Sequence, residues 1–390
     1  MPLVSEHDVR VAAGRGHREL YVASDAVVTP QALEVADRLG VTVRHGEQPQ
    51  VTPPTIDPAR AVQRLLIRRS PRWVAPAPRA GRTPTRFTRV AFVGSGMVGA
   101  TAAHLTAISG MADELTIIDV VPGLAAATAL DLEHASGITG TSTRARGGTS
   151  LSLCAGADVV VVTAGRPRSP GMTRDALLEV NGRVIRDVAE AVAAHAPGAV
   201  VIVVTNPLDE MTFEFWRASG LPARQVLGMA GTLDSSRFRN ALATAAGVTP
   251  RDVWAVALGS HGAEMVPVVS MATIKGRPVT QVLKPDVIDR CVKEAVNGGA
   301  AVVELRKTGS AFIAPAQAVV ELMDGVRGAV AEPLPVSAML NGEYGLDGLF
   351  LGIRAHLGTS GIVEVVQDPL VEEERRALSA AADSIRSRLV

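Results

Sequence analysis

The chain has 390 residues, 47% of them hydrophobic and 20% charged, the balance of a soluble globular protein with room for two domains. Its 39 Lys and Arg match its 39 Asp and Glu, so net charge indicates neither nucleic acid nor a membrane surface as a partner. No apolar run reaches the length of a membrane span. The N-terminal region carries acidic residues and lacks an apolar h-region, so it does not resemble a secretory signal or a transit peptide.

The two cysteines, Cys154 and Cys291, lie far apart in the sequence. This spacing indicates neither a metal site nor a disulfide framework. We expect both to be buried thiols in a reducing compartment, which favours the cytoplasm of a bacterium.

Residues 1–46 have the pattern of a small β-helix-β module. Glu19 to Ala23 predicts a strand, and Thr29 followed by Pro30 predicts a helix start. Gly40 predicts the end of that helix, and residues 41–44 predict a second strand. A unit of this size cannot bury a core alone, so we expect it to dock on another surface or on a partner chain.

The segment from Leu20 to Val43 resembles the short N-terminal module of several proteins associated with bacterial microcompartments, for example in ethanolamine and propanediol utilisation. The resemblance implies an interaction module and microcompartment association. The alternative is an N-terminal extension without a partner.

Residues 47–86 form a proline-rich, basic linker, a composition that favours extended conformations. One amphipathic helix is predicted within it, with Asp57 as cap, Pro58 at its first position and arginines at 60, 64 and 68 on one side. This helix either docks in a groove of a partner or folds back onto the rest of the chain.

A strand–turn–helix–strand pattern follows, and it is typical of dinucleotide binding. The apolar strand at 90–93 leads into Gly94, Gly96 and Gly99. Gly94 permits the tight turn, Gly96 lets a pyrophosphate approach the backbone, and Gly99 lets the helix lie close to the strand. Asp119 ends the next strand, where it can bind both ribose hydroxyls and repel a 2′-phosphate, which favours NAD over NADP.

From Phe87 onward strands alternate with helices, which predicts an α/β fold: a Rossmann-type parallel sheet domain at 87–232 and an α+β catalytic domain at 233–390. Strands are predicted at 157–165, at 199–207 and from 253. Helices are predicted at 174–195, 209–219, 231–246, 286–304, 311–327 and 369–388.

Five motifs in fixed order resemble the malate/lactate dehydrogenase family, and most closely the lactate-dehydrogenase-like malate dehydrogenases of bacteria. The motifs are V93-GSGMVG99, T163-AGRPRSPGMTR174, T205-NP207, G228-MAGTLDSSR237 and G259-SHG262. The resemblance covers 87–390. It implies reversible hydride transfer between malate and NAD, giving oxaloacetate and NADH, as in the tricarboxylic acid cycle. The alternative is a dehydrogenase for lactate or another 2-hydroxy acid.

The resemblance assigns His261 as the catalytic acid and base, since imidazole titrates near the working pH. Asp234 would hold that imidazole in the right tautomer. Arg237 would grip the C1 carboxylate with its planar fork. Arg174 would bind substrate and polarise its carbonyl oxygen. Arg168 stands at the selectivity position, where arginine would neutralise the second carboxylate of malate.

The same resemblance implies the cofactor contacts, with Asn206 serving both substrate and cofactor. The cofactor-binding set is Gly94, Gly96, Met97, Gly99, Asp119, Asn181 and Asn206, and Ser310 is a lesser contact. The segment from 163 to 174 would close over the substrate and expel water. The resemblance also implies a homodimer or homotetramer.

Two features depart from the family pattern. The family usually has an aspartate directly after His-Gly, whereas this chain has Ala263 followed by Glu264. This change bears on the hydrogen bonds around His261 and therefore on its pH dependence. The second departure is the N-terminal extension, residues 1–86.

Overall fold

The computed structural model describes residues 2–14, 18–46, 84–166, 174–307 and 309–389, with side chains left out at 174–176. The chain divides into two compact units, Met1–Pro76 and Ala77–Val390. The helix predicted in the linker and the selectivity residue Arg168 lie outside the described residues. The domain boundaries at 46, 86 and 232 stay predictions.

In its described residues, 2–14 and 18–46, the first unit contains four short strands and two helices. They are β1 (Leu3–Val4), α1 (Glu6–Gly14), β2 (Glu19–Val22), β3 (Val27–Val28), α2 (Pro30–Leu39) and β4 (Thr42–His45). Strands β1 and β3 pair in parallel, as do β2 and β4. The predicted ends of α2 are confirmed: Thr29 Oγ1 accepts a hydrogen bond from Ala32 N–H at 3.2 Å, and Gly40 is left-handed with φ 66°.

Helix α1 is absent from the sequence prediction, and it changes the expectation for this unit. Ser5 N–H and Oγ both donate to Asp8 Oδ2, at 2.8 and 2.7 Å, so the helix start is capped. Val9 of α1 is fully buried against Ala32 and Val35 of α2. The unit therefore has a small core of its own, although Leu3 stays 66% exposed.

The second unit is built on one large sheet with helices on both faces. Its strands are β5 (Phe87–Val93), β6 (Ala112–Ile118), β7 (Arg144–Gly148), β8 (Val159–Val162), β9 (Val200–Val203), β10 (Val226–Gly228), β11 (Val253–Trp254), β12 (Ala257–Gly259), β13 (Met265–Pro267), β14 (Thr273–Ile274), β15 (Arg277–Pro278), β16 (Leu334–Asn341), β17 (Asp347–Gly358) and β18 (Gly361–Val366). Its helices are α3 (Met97–Ser109), α4 (Leu124–Thr139), α5 (Arg174–His195), α6 (Leu208–Ser219), α7 (Gly231–Ala246), α8 (Pro285–Arg306), α9 (Ile313–Val326) and α10 (Glu372–Arg386).

Six parallel strands form the first half of the sheet, in the order β7-β6-β5-β8-β9-β10. The valine and isoleucine runs of β8 and β9 are buried throughout, as expected for strands covered on both faces. Alternate residues serve separate cores: Val161 and Ile202 pack with α3, α4 and α9, while Val160 and Val203 pack with α5 and α6. The α/β fold class is confirmed.

The sheet continues without a break into the second half of the unit. Strand β10 pairs antiparallel with β16, where Gly228 faces Ser337. Strands β17, β12 and β13 follow, all antiparallel, and β18 pairs with β17. The two halves therefore share one sheet, which sequence patterns alone do not indicate. The long hairpin of β16 and β17 is also absent from the prediction.

Glycine is required at two points of the turn between β5 and α3. Gly94 has φ 107°, and a Cβ there would lie 2.6 Å from Thr163 Oγ1. A Cβ on Gly99 would lie only 2.0 Å from the carbonyl oxygen of Gly94. The helix can therefore approach the strand only without these side chains.

We predict that Gly99→Ala destabilises the protein by about 1–3 kcal/mol, because the added methyl collides with backbone atoms. The matched control is Gly137→Ala in α4, where a Cβ meets nothing within 4 Å. Alanine favours the helix interior there, so we expect no loss of stability. Chemical denaturation of both variants checks this, and equal stabilities would contradict the packing argument.

Candidate active site

His261 and Asp234 form the centre of the site. Strand β12 ends at Gly259, and His261 lies in the turn directly after it. Helix α7 begins at Gly231 and places Asp234 in its first turn. His261 Nδ1 and Asp234 Oδ2 are 2.8 Å apart, and the Asp234 side chain is only 4% exposed. This carboxylate fixes Nδ1 as the protonated ring nitrogen and leaves Nε2 to exchange a proton.

The groups around His261 determine whether its pKa lies above or below the ordinary value for histidine. Burial favours the neutral imidazole, but the charge of Asp234 and its hydrogen bond outweigh burial, so the pKa of His261 is raised above its ordinary value. Asp209 adds to this rise and Arg237 opposes it. The result is a partly buried histidine whose protonated form is more stable than that of an ordinary imidazole.

Arg237 lies one helical turn after Asp234 and donates to Asp234 Oδ1 from Nη1 at 3.1 Å. Its guanidinium lies against α8, where a Cβ on Gly298 would come within 3.1 Å of Arg237 Cδ. Gly299 similarly faces Nη2. Two adjacent glycines thus make room for the arginine. They were not predicted, because glycines inside a helix give no functional signal.

Asp209 contacts the backbone of His261, and sequence reasoning did not single it out. It lies in the first turn of α6 and is 1% exposed. Its Oδ2 accepts a hydrogen bond from His261 N–H at 3.0 Å, and its Oδ1 accepts one from Ser337 Oγ at 2.6 Å. Burial raises the pKa of Asp209 to about 6. Its position two residues after Asn206-Pro207 was the available signal.

The glycine turn has the geometry that a pyrophosphate requires. Gly96 is the residue before α3, and a Cβ added to it would meet nothing within 4 Å. The space above the helix N-terminus is therefore open, and the dipole of α3 is directed at it. Met97 is 45% exposed at the same end. The residues present fit a dinucleotide.

Asp119 lies at the end of β6, beside the glycine turn. Its Oδ2 accepts a hydrogen bond from Ser95 N–H at 2.7 Å, and its Oδ1 accepts one from Val121 N–H at 3.0 Å. Two backbone donors thus fix the half-buried carboxylate, and each oxygen keeps capacity to accept another hydrogen bond. This arrangement suits a pair of ribose hydroxyls.

Asn181 and Asn206 are connected to each other. Asn181 is fully buried in α5 and donates from Nδ2 to the carbonyl oxygens of Asn206, at 2.7 Å, and Arg166, at 3.2 Å. Its Oδ1 accepts from Arg166 N–H at 2.8 Å. Both amide hydrogens are therefore used within the chain, which makes Asn181 a residue that positions two loops. Its predicted contact with a cofactor stays a prediction, as does that of the exposed Asn206.

The remaining predicted residues, Arg174 and Ser310, lie close to positions outside the described residues. Arg174 is the first residue of α5, and the structure gives no account of its side chain. Ser310 is exposed and follows Gly309, where a Cβ would lie 2.8 Å from Met97 Cε. The segment after α8 therefore reaches the start of α3.

No helix in the described ranges is long and apolar enough to cross a membrane. Within the same ranges, no group of three or more His, Cys, Asp or Glu could hold a metal ion. Cys154 and Cys291 are buried free thiols.

Comparison with known proteins matches two consecutive family domains to this unit. Residues 88–228 match the lactate/malate dehydrogenase NAD binding domain, and residues 231–389 match the lactate/malate dehydrogenase alpha/beta C-terminal domain. The malate dehydrogenase of Nostoc punctiforme is 43% identical over 301 residues, covering 77% of this chain and 92% of that protein. That of Thermomicrobium roseum is 43% identical over 298 residues, covering 76% and 96%.

Solved structures give the same result. The malate dehydrogenase of Cryptosporidium parvum is similar with a TM-score of 0.75 and 37% identity, covering 78% of this chain and 98% of that one. The lactate dehydrogenase of the same organism, solved with lactic acid and nicotinamide adenine dinucleotide, has a TM-score of 0.75 and 32% identity, covering 78% and 97%. This chain therefore belongs to the lactate/malate dehydrogenase family of NAD-dependent 2-hydroxy-acid oxidoreductases.

Proposed function

We propose that this protein is an NAD-dependent malate dehydrogenase that interconverts malate and oxaloacetate. The hydrogen bond between His261 Nδ1 and Asp234 Oδ2 is the observation that carries the proposal. It supplies an oriented acid and base beside an arginine suited to a carboxylate. The curated relatives named malate dehydrogenase support the choice of substrate.

His261 moves the proton of the reaction. In the reductive direction, Nε2 donates a proton to the carbonyl oxygen of oxaloacetate, and in the oxidative direction it removes the hydroxyl proton of malate. Asp234 stabilises the imidazolium and keeps the ring oriented. The bound nicotinamide supplies or accepts the hydride.

The glycine turn and Asp119 hold the cofactor. Gly96 leaves the backbone open to the pyrophosphate, Met97 begins the helix whose N-terminus faces it, and Asp119 binds the ribose hydroxyls. The carboxylate of Asp119 repels a 2′-phosphate, which favours NAD over NADP. Asn206 and Ser310 contact the cofactor or the pocket, and Asn181 keeps Asn206 in place through the backbone.

Three arginines hold the substrate. Arg237 binds the C1 carboxylate, while its hydrogen bond to Asp234 fixes the guanidinium near the acid and base. Arg174 polarises the carbonyl oxygen, and Arg168 neutralises the second carboxylate. An unpaired buried carboxylate is costly, so Arg168 decides between a dicarboxylate and lactate.

The quaternary structure and the N-terminal unit belong to the same proposal. We propose a homodimer or homotetramer in the bacterial cytoplasm. Residues 1–86 serve as an interaction module for a protein partner, including the shell of a microcompartment in which the enzyme would recycle NADH. A variant without residues 1–86 that keeps both its activity and its cellular distribution would contradict that role.

Steady-state rates with purified full-length protein test the proposed activity. We expect kcat/KM with NADH to be far higher for oxaloacetate than for pyruvate, because only oxaloacetate pairs its second carboxylate with Arg168. NADPH should replace NADH poorly. A preference for pyruvate would contradict the malate assignment, and a preference for NADPH would contradict the role of Asp119.

We predict that Arg168→Gln shifts selectivity from oxaloacetate towards pyruvate by on the order of 1–4 kcal/mol in transition-state free energy. The matched control is Arg166→Gln in the same segment, since Arg166 contacts Asn181 through its backbone. The ratio of kcat/KM for the two substrates provides the measurement. An equal shift in both variants would show a general effect of charge instead of a specific contact.

A further inference from the structure

A cluster of charged side chains lies behind the catalytic histidine, outside the site described above. We name it the C-terminal arginine cluster: it consists of Arg388, Ser384, Glu210 and Glu264. Arg388 follows the end of α10, and Ser384 lies within that helix. Glu210 belongs to the first turn of α6, and Glu264 precedes β13. Three separate elements thus meet at one guanidinium.

Arg388 and Glu210 are shielded from water, whereas the Glu264 side chain is 34% exposed. Arg388 Nε pairs with Glu210 Oε1, and the side chains of these residues are 14% and 2% exposed. Arg388 Nη1 donates to Ser384 Oγ at 2.6 Å and lies 3.7 Å from Glu264 Oε1. Ser384 Oγ donates to Glu264 Oε1 at 3.2 Å. One arginine therefore contacts two carboxylates, and its removal takes the same positive charge away from both.

The cluster connects to both ends of the turn that carries His261. Asp209, which accepts the hydrogen bond from His261 N–H at 3.0 Å, is the neighbour of Glu210 in α6. Glu264 closes the same turn three residues after His261 and is bound through Ser384 and Arg388. The position of the turn relative to Asp209 therefore depends on where Arg388 holds Glu210 and Glu264.

We propose that Arg388 is a positioning residue for His261, which acts by clamping the turn of residues 261–264 between the C-terminal helix and α6. The inference rests on the proposed function, because it concerns the acid and base of that reaction. It also gives Glu264 a role: this residue, which follows Ala263 where the family pattern has an aspartate, directs its carboxylate to Arg388.

Because charged groups surround His261, a change in the clamp should also change the pKa of this residue. Asp234 and Arg237 face His261 from α7, Asp209 faces it from α6, and Glu264 lies in its own turn with Arg388 behind it. Loss of Arg388 makes this region more negative and stabilises the imidazolium, which raises the pKa of His261. Loss of the Glu264 charge has the opposite effect. If Arg388 only supported the fold, neither substitution would change the pKa of His261.

The test is the pH profile of kcat/KM for oxaloacetate with full-length Arg388→Met, Arg388→Lys and Glu264→Gln. In this direction the protonated histidine is active, so the rate falls as pH rises through the pKa of His261. We expect Arg388→Met to lose about tenfold or more in kcat/KM through misplacement of the ring. The basic limb of the Arg388→Met profile should move to higher pH by about 0.3–1 unit. The basic limb of the Glu264→Gln profile should move to lower pH.

Arg388→Lys keeps the positive charge, so the basic limb of its pH profile should coincide with that of the wild-type protein. Arg386→Met is the matched control, because Arg386 is the last residue of α10, two positions before Arg388, but pairs on the surface with Asp383 and Asp347. It should retain wild-type kinetics. A wild-type profile in both Arg388→Met and Glu264→Gln would overturn the proposal.

If Arg388→Met does not fold, the other two variants decide: an unchanged limb in Glu264→Gln, or a displaced one in Arg388→Lys, overturns the clamp. Failure of the proposed function would look different, since the wild-type protein itself would then lack activity on oxaloacetate.

Discussion

The hydrogen bond between His261 and Asp234 is the interaction on which the rest of the site depends. It joins the turn after β12 to the first turn of α7, and it lies where water is largely excluded. The same carboxylate holds Arg237 through its other oxygen. One buried acid therefore orients both the proposed acid and base and a group suited to a carboxylate, and one helical turn sets the spacing of Asp234 and Arg237.

The continuous sheet supports this arrangement from both sides. Its parallel strands end at the glycine turn and at Asp119, whereas its antiparallel strands lead to His261. Strands β10 and β16 join the two halves, and Asp209 reinforces the junction by binding His261 N–H and Ser337 Oγ at once. The glycine turn and His261 are thus carried by one continuous sheet. The enclosure of Asp209 that makes this possible also raises its pKa to about 6.

Residue patterns predicted many of the helices, strands and candidate site residues, and the features that they did not predict have physical causes. Helix α2 was predictable because Thr29, Pro30 and Gly40 are strong local signals, and the glycine turn was predictable because pyrophosphate binding demands those residues. The shared sheet was not, since it depends on the pairing of β10 with β16, which lie far apart in the sequence. Helix α1 and the β16–β17 hairpin were missed although their contacts are local, such as the cap between Ser5 and Asp8. His261 and Asp234 were singled out through ordered motifs, and the structure brings their side chains within 2.8 Å. Asp209, Gly298 and Arg388 were missed because their roles arise only when separate elements meet.

The titration of His261 tests the central claim most directly. Histidine-labelled protein can be followed by NMR across the pH range, with His261→Gln used to assign the resonance. The ring should titrate above about 6.5, the ordinary value for histidine, because the Asp234 carboxylate outweighs burial. In Asp234→Asn burial would dominate, and the pKa should fall below that value. A wild-type pKa below 6.5, or one that Asp234→Asn leaves unchanged, would contradict the account.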